Sequence, residues 1–328
     1  MARTVLLGLY LLVMSSLSSS AFSQVALDPM LPVYQPISGI SGGVLESVGS
    51  DTMNRMLTLW AEEFKRFYPG VRPSVDGKGS SNAVPALIAG KCNFGPMSRD
   101  VKDSERRAFR AKFGYEPVLL PTSIDMLAVY VNKDNPIEGL AFAQIDAIFS
   151  STRKQGLSPR TMRWSQLAPS VSADISCYGR NAASGTYGYF KEVVLAGGDY
   201  GNWVNELPGS AGVVQSVGKN VGGIGYSGIG YQTADVRALK IANEPGGELI
   251  EATPRDAYSG RYPLARFLYL AVNYDPTLPL DPMRREFLKY VFSRQGQMQV
   301  VKDGYLPLTA EMARDALRTV GIEPPIQD

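Results

Sequence analysis

The chain of 328 residues contains no histidine. That removes the usual general base of serine and cysteine nucleophiles and the commonest zinc ligand, so triad hydrolases and catalytic zinc sites are disfavoured. Asp, Glu or Lys could still serve as a base, which leaves catalysis disfavoured rather than excluded. No metal-ligating cluster is evident either, so neither a metal nor a cofactor is expected. A second lack is charge of one sign: the formal net charge is +2, too little to recommend nucleic acid or an anionic membrane surface as a partner. Long apolar runs are also missing beyond the first residues, and no later segment could cross a bilayer. Cysteine occurs twice, at Cys92 and Cys177.

At the N-terminus, Arg3 precedes the apolar run Val5 to Met14. A serine-rich stretch follows and ends in Ala21-Phe22-Ser23. This is the pattern of a secretory signal peptide over residues 1–23, with cleavage near Ser23-Gln24. Cleavage there removes one positive charge and leaves a periplasmic or secreted chain, and no cysteine stands at that point to carry a lipid. Residues 24–43 hold Pro29, Pro32 and Pro36 and then Gly39, Gly42 and Gly43. With little periodicity, they read as an N-terminal arm outside the core.

From Val44 onward, short apolar strands alternate with amphipathic helices, the pattern of an α/β fold with mostly parallel sheets flanked by helices. Val44 to Val48 is a strand, and Met53, Met56, Leu57, Trp60, Phe64 and Phe67 share one face of the helix that follows. Ile124 to Val131 and Tyr262 to Val272 are long apolar strands that bracket about 130 residues. A chain so arranged leaves one lobe, builds another and returns.

Three loops share a chemistry. Ser50-Asp51-Thr52, Ser80-Ser81 and Arg180 with Ser184-Gly185-Thr186 each follow a strand and precede a helix. In an open parallel sheet, such loops gather at the carboxyl edge, where ligands bind. Hydroxyls and free N–H groups at a helix N-terminus suit an oxyanion, and an arginine can fork two donors onto one ligand. Gly185 would let the backbone approach closely. Ser184 could equally be an ordinary N-cap, and Asp51 likewise.

With these segments in view, the chain from Val44 to its C-terminus resembles the periplasmic phosphate-binding proteins of phosphate ABC transporters, a type II periplasmic binding protein family. The matching segments are GSDTM at 49–53, GKGSS at 77–81, MSR at 97–99, GRNAASGTYGYF at 179–190, VGGIGYSG at 221–228 and YPLARFLYL at 262–270. The resemblance implies a two-lobed monomer that closes on inorganic phosphate and delivers it to an inner-membrane permease. It also implies lobe 1 over 44–126 and 258–328 and lobe 2 over 127–257. Its implied ligand contacts are Ser50, Asp51, Thr52, Ser80, Ser81, Ser98, Arg99, Arg180, Ser184, Gly185 and Thr186. If Cys92 and Cys177 lie in different lobes, a bond would tie two moving parts together, so unpaired thiols are expected.

One departure bears on specificity. Where some members place an aspartate directly after the serine of the third loop, this chain has Arg99, with Asp100 one position later. A fixed carboxylate can accept the proton that phosphate keeps near neutral pH, and it repels fully ionised sulfate. Asp51 is the expected acceptor and Asp100 the alternative. Arg99 also reads as a salt-bridged loop residue and Asp100 as a surface carboxylate. The rival readings are a receptor for sulfate or molybdate, a secreted scavenging or adhesion protein without a permease, and an exported phosphoryl-transfer enzyme using Ser184 or Thr186.

Overall fold

The computed structural model of the chain describes residues 25–323; the expected signal peptide lies outside the described residues. The first strands and helices alternate as β1 (Gly43–Val48), α1 (Asn54–Phe67), β2 (Val71–Asp76), α2 (Ala83–Ile88), β3 (Gly95–Met97) and α3 (Asp103–Phe113). A long strand, β4 (Val118–Asn132), leads to β5 (Gly139–Ala141) and α4 (Phe142–Phe149). The middle of the chain holds β6 (Ser176–Arg180), α5 (Gly185–Val193), β7 (Asn205–Leu207), α6 (Ser210–Gly218) and β8 (Gly223–Gly228). After β9 (Val236–Ala238), β10 (Lys240–Ala242) and α7 (Pro254–Tyr258), the chain returns through β11 (Ala265–Val272). It closes with α8 (Pro282–Val291), α9 (Arg294–Lys302) and α10 (Ala310–Thr319).

The largest sheet runs β3-β11-β4-β8-β6-β7, with β9 also on β4. β4 belongs to both halves of it. Its first part, Val118 to Met126, pairs with β11, and from Leu127 onward it pairs with β8 and β9. Parallel pairing holds where the sequence shows strand–loop–helix units, at β1–β2, β6–β8 and β6–β7. The pairs made by β4 and β11 are antiparallel, because one strand carries the chain out of the first half and the other brings it back.

Burial explains the placement of the helices. Met56, Leu57, Trp60, Ala61 and Phe64 form the buried face of α1, and each large side chain removed from water there contributes about 1.5–3 kcal/mol. The Trp60 indole keeps its polar end satisfied by donating to the Gly296 carbonyl at 2.8 Å. β4 is buried along nearly its whole length, as a strand covered on both faces must be.

The N-terminal arm is not outside the core, contrary to the sequence reading. Leu31 and Tyr34 are buried in the main hydrophobic cluster. The Tyr34 hydroxyl meets the Tyr68 hydroxyl at 2.7 Å and donates to Glu286 at 3.1 Å. Backbone bonds to Gln295 and Arg294 hold the strap over α9. Its prolines lack N–H donors, so the arm can lie in a groove without a partner strand. The two thiols are free.

Candidate functional site

β1 and β2 are parallel, and a parallel bridge between Ser47 and Phe94 sets the approach to β3 beside β1. The loops after these three strands therefore open at one edge. The Ser50 N–H donates to the Pro96 carbonyl at 2.7 Å and the Gly79 N–H to the Gly49 carbonyl at 2.7 Å, which locks the loops together. A Cβ on residue 49 would sit 2.2 Å from the Pro96 oxygen, so only glycine permits this approach.

The hydroxyls of the three loops converge. Ser98 Oγ accepts from Ser50 Oγ at 3.1 Å and lies 3.3 Å from Ser80 Oγ. Ser98 N–H donates to Ser80 Oγ at 3.0 Å. All three serines are buried. The hydroxyl contacts exceed the usual O–H···O separation of about 2.7–2.8 Å, which leaves these donors free to turn toward an anion.

α5 brings its N-terminus onto this cluster from the other side. A Cβ on Gly185 would lie 2.3 Å from Ser80 Oγ and 2.6 Å from Ser98 Oγ. Ser184 caps the helix, its Oγ accepting from the N–H groups of Thr186 and Tyr187 at 3.1 and 3.4 Å. The cap and the site are thus the same feature, since a capped N-terminus still presents partial positive charge. Thr186 Oγ1 and Thr52 Oγ1 meet at 2.9 Å. Behind the helix, Phe190 and Tyr226 stack with centroids 3.9 Å apart, and the Tyr226 hydroxyl accepts from the Arg180 N–H at 3.3 Å.

Arg180 ends β6 and is 1% exposed. Nη1 donates to Ser210 Oγ at 2.6 Å and lies 3.3 Å from Asp51 Oδ2, and Nη2 donates to the Pro208 carbonyl at 2.9 Å. Its Nε is buried with no partner. A buried guanidinium donor left unmet carries a desolvation cost, which a bound anion reaching Nε would remove. Burial lowers the Arg180 pKa from its ordinary value, with Asp51 opposing.

Asp51 does not cap α1, whose N-cap residue is Met53. Its Oδ2 accepts from the Ser210 N–H, at the start of α6, at 2.8 Å and faces Arg180. Among the described residues no protein donor reaches Asp51 Oδ1 within hydrogen-bond distance. Asp100 is elsewhere: its Oδ1 accepts from the Val101 N–H and from Arg106, and its side chain is 70% exposed. The surface-carboxylate reading of Asp100 is therefore the one the geometry favours. Arg99 forks onto Glu105, at 2.9 Å and 2.6 Å, and grazes Ser81 Oγ at 3.4 Å. Its guanidinium is spent on α3, away from the serine cluster, and Ser81 sits half-buried at the rim.

Two buried charges near the cluster carry no role in the sequence reading. Arg266 on β11 donates from Nε and Nη2 to Asp125 Oδ2 at 3.0 and 2.7 Å. It also donates from Nη1 to the Ser98 carbonyl at 2.8 Å and from Nη2 to Thr186 Oγ1 at 2.9 Å. Asp125 is fully buried on β4. The available signal is a lone charge inside each long apolar strand, because a charge buried there must find an opposite one.

The site thus joins buried hydroxyls, a helix N-terminus and two arginines matched by two aspartates, in a fold built around one shared sheet: the description of a non-covalent receptor for a small oxyanion. The family model described as the PBP superfamily domain matches residues 36–295. Over 306 residues the chain is 50% identical to the phosphate-binding protein PstS of Pseudomonas aeruginosa, covering 92% of this chain and 94% of that one. The chain belongs to the PBP superfamily and, within it, to the PstS family. Among solved structures, a Clostridium perfringens protein with bound phosphate is 24% identical with a TM-score of 0.69, over 81% of this chain and all of that one. An ABC-type phosphate transport receptor from Vibrio cholerae is 21% identical with a TM-score of 0.63, over 80% and 99%. At those identities, the likeness concerns the fold.

Proposed function

We propose that the protein is an exported receptor that captures inorganic phosphate without covalent chemistry and passes it to the permease of an ABC transporter. The observation that carries this reading is Arg180: a buried guanidinium with an unpartnered Nε, facing Asp51 of the first hydroxyl loop, whose neighbours Ser50 and Thr52 meet Ser98 and, on α5, Thr186. The names of its relatives point to the same ligand. Residues 44–126 and 258–328 would form one lobe and 127–257 the other, the division falling where β4 exchanges partners from β11 to β8.

Arg180 and Arg266 are matched by Asp51 and Asp125, so the four fixed charges cancel. The anion's own charge is then met by dipoles, the serine hydroxyls and the first N–H groups of α5, in a site from which water is excluded. The proposed contacts are Ser50, Thr52, Ser80, Ser98, Arg180, Ser184, Gly185 and Thr186, with Asp51 Oδ1 accepting the phosphate proton. Arg99 and Ser81 support the rim. A ligand lacking a proton at neutral pH would leave Asp51 facing a second negative charge, which is the basis of discrimination.

Calorimetry on two variants tests the assignment. Arg180→Ala is expected to lose phosphate affinity by at least about 100-fold, the scale for removing a charged partner from a buried site. Asp51→Asn is expected to retain the fold and narrow the preference for phosphate over sulfate. Unchanged affinity in the first or unchanged preference in the second rejects that residue's role. A phosphatase assay on the wild type separates the enzyme reading.

A further inference from the structure

Arg266 stands opposite Asp125 across the β11–β4 register. The pair lies where β4 changes partners, one residue before Met126 and two before Leu127, which pairs with Gly228 of β8. Asp125 Oδ1 accepts from the N–H of Ile229, just past the end of β8, at 3.2 Å. Thus β4, which spans the two halves, β11, the strand that follows the return, and the turn after β8 meet at one buried ion pair.

The four donor contacts of Arg266 divide by segment. Those to Asp125 and to the Ser98 carbonyl stay within the segments 44–126 and 258–328. The contact from Nη2 to Thr186 Oγ1 reaches residues 127–257. So does the one from the Ile229 N–H to Asp125. The guanidinium is held on one side and aimed at the other, so closing onto Thr186 fixes little additional side-chain freedom. Its remaining donors reach a carbonyl of the serine loop and the first turn of α5, one on each side of the proposed division.

We infer that Arg266, clamped by Asp125, is a closure latch. It is a positioning residue that holds Ser98 in place and fastens Thr186 when the halves come together, and so sets how long the anion stays bound. The inference rests on the receptor reading above. A latch that acts only after encounter slows release and leaves capture nearly unchanged.

The test is stopped-flow binding of inorganic phosphate by the wild type and by the charge-balanced double variant Arg266→Gln/Asp125→Asn, with small-angle scattering before and after saturation. The double variant is expected to release phosphate about 10- to 100-fold faster, the range for losing a charge-assisted contact. Its association rate should stay within about threefold, with a smaller ligand-induced contraction. If the wild type binds phosphate and the double variant releases it at the wild-type rate, the latch is overturned while the receptor reading stands. If the wild type does not bind phosphate, the receptor reading itself fails. Should the double variant not fold, Thr186→Val and Arg266→Lys serve as single changes and as a pair. The latch requires faster release in each single variant, restoration by Thr186→Ser, and no further acceleration when the two are combined; additive effects or unchanged release overturn it.

Discussion

Asp303 shows how closely charge is rationed around this site. It is 4% exposed, and burial pushes its carboxyl up to about 7, with Arg55 at 3.0 Å pulling the other way and Asp125 adding to the rise. Between about pH 4 and pH 7 the folded protein then holds a proton that the unfolded chain has released. The stability this contributes is fully present below about pH 4 and is lost as the pH rises through 7, at up to about 1.4 kcal/mol per pH unit. Urea unfolding of the wild type between pH 5 and pH 8 should show that decline, and Asp303→Asn should flatten it. Parallel profiles for the two proteins would mean the carboxyl is ionised throughout. Arg180 and Asp51 are legible in the sequence because each stands at a strand end or in the loop after it, next to hydroxyl residues. Arg266 and Asp125 are harder to see: each is a single charge inside an apolar strand, and the partners are 141 residues apart.

At the scale of elements, the decisive contact is a helix end against three loops. α5 can approach the serine cluster only because residue 185 has no side chain, since a Cβ there would overlap Ser80 Oγ and Ser98 Oγ. Gly185 has no need of a left-handed backbone, so its replacement should act through the cleft rather than through the helix. Gly185→Ala is expected to fold and to bind phosphate at least about tenfold more weakly, the scale of a misfit at a packed interface. Wild-type affinity in calorimetry would show that the helix does not need to come this close. Strand–loop–helix units with hydroxyls in the loops are readable from spacing alone, which is why β1, β2, β6 and the helices after them stand where the pattern puts them. α9 is not: Arg294–Lys302 has a glycine and three glutamines, yet Gly296, Gln297 and Gln299 are buried. Gln297 donates to the Thr122 and Val291 carbonyls and accepts from the Leu308 N–H, contacts that pattern reading does not anticipate. The arm at 24–43 misleads for a similar reason, because Leu31 and Tyr34 gain their burial from distant helices.

For the whole molecule, β4 runs through both parts of the shared sheet, whereas β11 pairs with its first part alone. The point where β4 changes partners is where the proposed lobes would hinge. The legible part is the general plan, since two long apolar strands bracketing the middle of the chain are visible in the sequence. The mixed direction of the shared sheet is not, because periodicity does not reveal which strands are neighbours. The central claim is that the cleft takes an anion still carrying a proton. Its most direct measurement is calorimetric titration of the purified wild type, freed of bound anion, with phosphate and with sulfate at neutral pH. Tight one-to-one binding of phosphate and at least about 100-fold weaker binding of sulfate are expected. Comparable affinities, or none for phosphate, would contradict it.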